Sequence, residues 1–101
     1  MQPHSAMTLS EKIIARASGR ERVSPGEIVT CKVDLAMMHD SGGPRRVQPY
    51  LERLGAKIWD PSRVVIASDH FVPPPDVDSA EILALTRRFA RDHAIDAFYD
   101  M

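Results

Sequence analysis

The sequence has one cysteine among its 101 residues, Cys31. An internal disulfide framework is therefore excluded. So is an iron–sulfur cluster or structural zinc site held by several cysteines of this chain alone. An excess of charge of one sign is missing as well. Thirteen Lys and Arg stand against fourteen Asp and Glu, for a formal net charge of −1, and aromatics make up only 6%. With no basic block and no interleaved aromatics, nucleic acid is not the expected partner. No apolar run approaches the ~20 residues of a membrane span, and the first residues lack the regions of a signal peptide. No membrane partner is expected, and the cytoplasm is the default location. Internal repeats and low-complexity segments are lacking too. What is present, 44% hydrophobic and 27% charged residues, is the make-up of one small globular domain. A chain of this size buries somewhat above ~60% of its unfolded surface, which is a modest core.

Residues 1–6 read as an irregular lead-in, and organised sequence runs over 7–101. Thr8-Leu9-Ser10-Glu11 has capping-box spacing. Leu9, Ile13 and Ala17 then recur at helical spacing with Ile14 beside them, and Lys12, Arg16 and Arg20 form a solvated edge. Gly19 marks the stop. Ser24-Pro25-Gly26 is a turn. Glu27 to Leu35 alternates apolar and polar residues and reads as a strand, with Cys31 a small buried residue inside it. Pro44 opens a helix to about Leu54, closed by Gly55. Pro49 within it means either a kink or regular helix only from Gln48. Val47, Tyr50, Leu51 and Leu54 form its apolar face. Ile58-Trp59 is a short strand or a packed loop. Asp60 to Arg63 is a turn. Val64 to Ser68 is apolar on both faces, as a central parallel strand is. Asp78, with Glu81 three residues on, caps the best helix, whose face is Ile82, Leu85, Phe89 and His93. Ala97 to Asp100 opens another strand. The alternation of helix and strand predicts a parallel α/β layer, and a strand opening in the last five residues suggests an unfinished one.

Two polar clusters follow strands. Ala36 to Pro44 holds two methionines that read as core filling, then His39, Asp40 and paired glycines. Taken alone, His39 and Asp40 read as local turn hydrogen bonders. The second cluster, Ser68-Asp69-His70, runs into Pro73-Pro74-Pro75, which is neither helix nor inner strand. Strand ends at the carboxyl edge of a parallel sheet are where α/β proteins build sites. There His39 and the Asp69–His70 pair can converge. A His paired with a carboxylate is a competent proton donor, worth typically ~10²–10⁴-fold in acid–base catalysis. The plain structural alternative is that Asp69 caps the loop and His70 bonds to backbone.

The wording of these segments adds to that reading. Val33 to Asp40 resembles the first active-site segment of large subunits in the aconitase and 3-isopropylmalate dehydratase superfamily. Val64 to Pro73 resembles the second, a strand leading to Asp-His, and Met7 to Ala17 resembles the opening of those subunits. The resemblance runs over Met7 to Met101. It implies a partial three-layer α/β/α domain with a mostly parallel sheet, as the N-terminal part of a large subunit. It also implies a hydro-lyase that isomerises a hydroxy acid by removing and re-adding water, with a [4Fe-4S] cluster as Lewis acid. By position Asp69 and His70 match the pair that assists departure of the hydroxyl, and His39 matches a position that contacts substrate. The cluster cysteines of the family match nothing here, and neither do its substrate-binding arginines and serine base. The resemblance therefore implies partners: the remainder of a large subunit and a small, swivelling subunit. Alone the chain is expected to hold no metal and to be inactive. The alternative is a non-catalytic α/β interaction module that pairs with a separately encoded remainder.

Overall fold

Capping chemistry sets the first helix. The structure, a computed structural model, describes residues 6–100; residues 1–5 of the expected lead-in lie outside them. Helix α1 spans Leu9–Ser18. The Thr8 hydroxyl accepts from the Glu11 amide at 3.2 Å, as the spacing predicts. Gly19 closes the helix at φ 69°, a left-handed conformation open to a residue without a Cβ. The expected stripe is not a core face: Leu9 and Ile13 are exposed, and the buried residue is Ala15.

The strand expected over Glu27–Leu35 does not form. Those residues are irregular, and Ile28 is fully exposed. Alternation alone makes no strand, because a strand needs a partner for its amides. The segment instead ties to α1: the Lys32 amide donates to the Ala17 carbonyl at 2.8 Å. The Cys31 thiol lies 3.8 Å from the Ile14 carbonyl. Cys31 is half-buried rather than a core residue.

The described residues form two compact units, one ending at Asp34 and the other starting at Leu35. The second is a partial α/β domain. Its order is β1 (Ala36–His39), α2 (Pro44–Leu54), a 3-10 turn (Pro61–Arg63), β2 (Val64–Ser68), α3 (Val77–Asp92) and β3 (Phe98–Asp100). The sheet order is β1-β2-β3, with both pairings parallel. The expected parallel layer is therefore present, with Val64–Ser68 at its centre. Ile58-Trp59 is a loop in which Ile58 packs on the core and Trp59 is exposed. Helix α2 runs unbroken through Pro49 and ends at Gly55 with φ 59°.

Two helix details differ from expectation. The cap of α3 is Asp76, whose carboxylate accepts from the Ser79 amide at 2.8 Å. Asp78 sits in the first turn, where the helix dipole still favours an acid. The buried face is also rotated: Ser79, Leu83, Thr86, Phe89 and Ala90 point inward. Thr86 is tolerated there because its hydroxyl donates to the Ile82 carbonyl at 2.8 Å. On α2, Val47 and Leu51 pack on the core while Tyr50 and Leu54 stay exposed.

The core joins Val64 and Ile66 of β2 to Phe89, Ala90 and Ile95, with Met38 and Phe98 from the flanking strands. Ile66 is fully buried, and removing a side chain of its size from water contributes ~1.5–3 kcal/mol. Ile66→Ala is expected to lower the unfolding free energy by about 2–5 kcal/mol, the usual cost of a core truncation. Urea unfolding followed by circular dichroism checks this. A midpoint within error of the parent would contradict the core described.

Candidate functional site

Strands β1 and β2 lie side by side and run the same way, so their carboxyl ends share one edge. Register does the rest, since His39 pairs with Ala67. The Asp40 amide extends the ladder by donating to the Ala67 carbonyl at 3.2 Å. The chain then turns sharply, with the Gly43 amide on the His39 carbonyl at 2.9 Å. A Cβ at Gly43 would lie 2.5 Å from that carbonyl oxygen and 2.7 Å from the Met38 Cβ, so the turn needs glycine.

Asp40 holds the two loops together. Its side chain is completely buried. Its carboxylate accepts from the His70 amide at 3.1 and 3.2 Å and from the Phe71 amide at 3.1 Å. Burial pushes the Asp40 carboxyl up, but the amides of Phe71, His70, Ser41 and Asp69 outweigh it and hold the group below the usual carboxylate range. The sequence reading gives Asp40 local turn bonds only. The structure shows bonds to residues thirty and thirty-one positions away, which no local pattern announces.

The three expected site residues meet at this edge. The imidazoles of His39 and His70 stack with centroids 4.3 Å apart and planes inclined by 18°. His70 Nδ1 lies 2.7 Å from Asp69 Oδ1 and 3.4 Å from Asp40 Oδ1. A carboxylate only accepts, so Nδ1 carries the hydrogen and donates to Asp69, which leaves Nε2 of the neutral ring as an acceptor. His39 has the opposite arrangement. Its Nδ1 accepts from the Gly42 amide at 3.2 Å, so the hydrogen of its neutral ring is on Nε2. The pair thus presents one donor nitrogen, on His39, and one acceptor nitrogen, on His70. The His70 and Asp69 side chains are 47% and 50% exposed, so this is an open wall rather than a closed pocket.

His39, Asp40 and His70 are also the one group of potential metal ligands among the described residues, with candidate atoms within 4.8 Å of one another. A tetrahedral zinc site with bonds of ~2.0–2.1 Å wants neighbouring ligand atoms about 3.4 Å apart. Stacked rings aim their in-plane lone pairs side by side, not at one point, and both oxygens of the Asp40 carboxylate already accept from amides. A proton site fits this geometry better than a cation site. The donor set does not fit a [4Fe-4S] cluster either: such clusters hang on several thiolates, and the chain has one.

Comparison with known proteins bears on the chain as a whole. No protein-family model matches the chain. Individual proteins do. The chain is 46% identical over 97 residues to a 3-isopropylmalate dehydratase large subunit of Saccharolobus solfataricus, covering 96% of this chain and 23% of that protein. It is 42% identical over 96 residues to a probable 3-isopropylmalate dehydratase large subunit of Methanothermobacter thermautotrophicus, covering 95% and 23%. It is 43% identical over 93 residues to a probable methanogen homoaconitase large subunit of the same organism, covering 88% and 22%. The resemblance read from the sequence stands: the chain is a homologue of part of an aconitase-superfamily large subunit. Within that superfamily it matches 3-isopropylmalate dehydratase large subunits. It spans 22 to 23% of the length of these relatives. Among the described residues no helix is long and apolar enough to cross a membrane.

The buried carboxylate sets a pH dependence. Because its folded value lies below the unfolded ~3.9, Asp40 contributes stability that is fully present above that value. The contribution is lost as pH falls through the lower folded value. Asp40→Asn is expected to cost about 1–3 kcal/mol near neutrality, since its amide nitrogen faces donors it cannot satisfy. The same substitution should flatten the fall in stability below about pH 4. Unfolding titrations of both proteins between neutral and acid pH check it. Parallel curves would remove Asp40 from the account.

Proposed function

We propose that this chain supplies one wall of a hydro-lyase site, of the type that isomerises a hydroxy acid by dehydration and rehydration. The observation that carries the reading is the stacked His39–His70 pair with Asp69, half-exposed at the carboxyl edge of a parallel sheet. In this reading residues 7–101 are the N-terminal part of an aconitase-type domain. Its partners are the remainder of a large subunit, a small subunit and a small hydroxy acid. The [4Fe-4S] cluster of the superfamily belongs to ligands outside this chain. Leucine biosynthesis and a cytoplasmic location belong to the same reading, by analogy with the dehydratase relatives.

The chain's own groups have definite tasks. Hydroxide leaves carbon poorly, and it leaves more easily as water. His70, when protonated, gives the proton on Nε2 to the departing hydroxyl, while its Nδ1–H stays on Asp69. In the reverse step the neutral Nε2 takes a proton from water. Asp69 orients the ring. His39, with its hydrogen on Nε2, is a fixed donor to a substrate oxygen. Removal of the carbon-bound proton needs a base outside this chain.

A second reading, a non-catalytic interaction module, is favoured by the uncovered sheet face. Leu35, Met37 and Tyr99 are each about 60% exposed (61, 65 and 59%), and such surface suits a partner.

A chimaera separates the two. This chain replaces the matching 97 residues of the Saccharolobus solfataricus subunit. The product is paired with that enzyme's small subunit and reconstituted anaerobically with iron and sulfide. The chimaera is expected to dehydrate a substituted malate, and His70→Gln should lower kcat by ~10²–10⁴-fold. His39→Gln should act mainly on KM. The free chain, treated alike, should gain no cluster absorbance. A chimaera that folds and holds its cluster but is inactive would favour the interaction module, and full activity of His70→Gln would end the proton-donor assignment.

A further inference from the structure

The Asp69–His70 pair leaves one group at the site without a chemical task. Asp40 is fully buried, and a charge is costly to bury unless every lone pair is used. The amides of His70 and Phe71 meet much of that demand, His70 reaching both oxygens. Tying two loops together does not require an anion, since a neutral acceptor from the backbone does the same in most turns. The ring of His70 is where an anion makes a difference. Asp40 Oδ1 lies 3.4 Å from His70 Nδ1, and the titratable side chains in contact with that ring are Asp69, Asp40 and His39. The two carboxylates differ in setting. Asp69 is nearer, but it is half exposed, so water and salt screen it and its side chain is free to turn away. Asp40 is dry, held on both oxygens, and placed by the β1–β2 ladder itself. Its field at Nδ1 is weakly screened and fixed in direction.

We propose that Asp40 is the positioning residue of this site: from its buried, amide-held place it fixes both the loop position of His70 and the tautomer of its ring, so that Nδ1 keeps its hydrogen and Nε2 faces the reacting molecule. Asp69 then refines a tautomer that Asp40 already enforces. The inference rests on the reading of His70 as the proton carrier. Its test does not use turnover, so failure of one is separable from failure of the other.

The test is nitrogen-15 NMR of the imidazole ring in the 101-residue chain at about pH 8, where an ordinary imidazole is neutral. The parent should show the Nδ1–H form in roughly tenfold or greater excess, the ratio a charge-assisted hydrogen bond supports. Asp69→Asn changes an exposed side chain and leaves the Asp40 anchor in place. It is expected to keep Nδ1–H the majority form. Asp40→Asn is expected to collapse the ratio toward the mixture of an unrestrained ring and to shift the His70 and Phe71 amides. Collapse of the ratio in Asp69→Asn alone would overturn the proposal. So would a parent-like ratio in a folded Asp40→Asn. If Asp40→Asn does not fold, Asp69→Ala decides, because it leaves no acceptor at position 69 and Asp40 is then the one carboxylate at the ring among the described residues; loss of the Nδ1–H majority there overturns the proposal. A purely structural role for Asp40 predicts loss of stability without any dependence of the tautomer on it.

Discussion

One buried carboxylate ties the second unit's functional edge together. Asp40 follows β1, and its oxygens take the amides of His70 and Phe71 beyond β2. Without that acceptor the His70 and Phe71 amides would lose this partner, and the loop after β2 would lose its tie to the end of β1. With it, residues thirty positions apart become neighbours. The His39 ring lies against the His70 ring because both loops start at the same height of a parallel ladder and are tied just past it. The order of causes runs from register, to anchor, to ring geometry.

That order explains which parts of the molecule were legible in the sequence. Most signals carried within four residues hold, although the cap of α3 is Asp76 rather than Asp78. Thr8 with Glu11, Gly19 and Gly55 each do what their spacing predicts. Val64–Ser68 is the central strand, as its apolar run predicts, with Val64, Ile66 and Ser68 buried. Signals that depend on a distant partner were misread or missed. Glu27–Leu35 alternates like a strand yet has no strand beside it. Thr86 looks polar but is fully buried, its hydroxyl satisfied within its own helix. Helix α3 ends through Ala94 at φ 55°, with no glycine to announce it, and the Ile95 amide closes on the Ala90 carbonyl at 2.8 Å.

The candidate site divides the same way. His39, Asp69 and His70 are visible as residue types that handle protons at strand ends, and the structure does bring their side chains together. Asp40 is not visible as more than a turn residue. A long-range bond to backbone has no side-chain partner to look for in the sequence, because amides are everywhere. Its one local hint is its place directly after a strand. The glycine pair after it belongs to the same device, since Gly43 has no room for a side chain against the His39 carbonyl.

The sheet that presents the site has one well-covered face and one open face. Val64, Ile66 and Ser68 point into the core, while Met37 and Tyr99 lie exposed on the flanking strands. Alternation puts His39 on the same face as Met37. Met37, Tyr99 and the His39 ring therefore share a side of the sheet. A surface that covers this face together with the His39 and His70 rings would lower the local dielectric around them. A hydrogen bond between charged partners strengthens as water leaves. Asp40 gains least from such covering, because it is dry already. The half-exposed Asp69 gains most. The arrangement thus separates a permanent constraint on His70 from one that tightens when the site is enclosed.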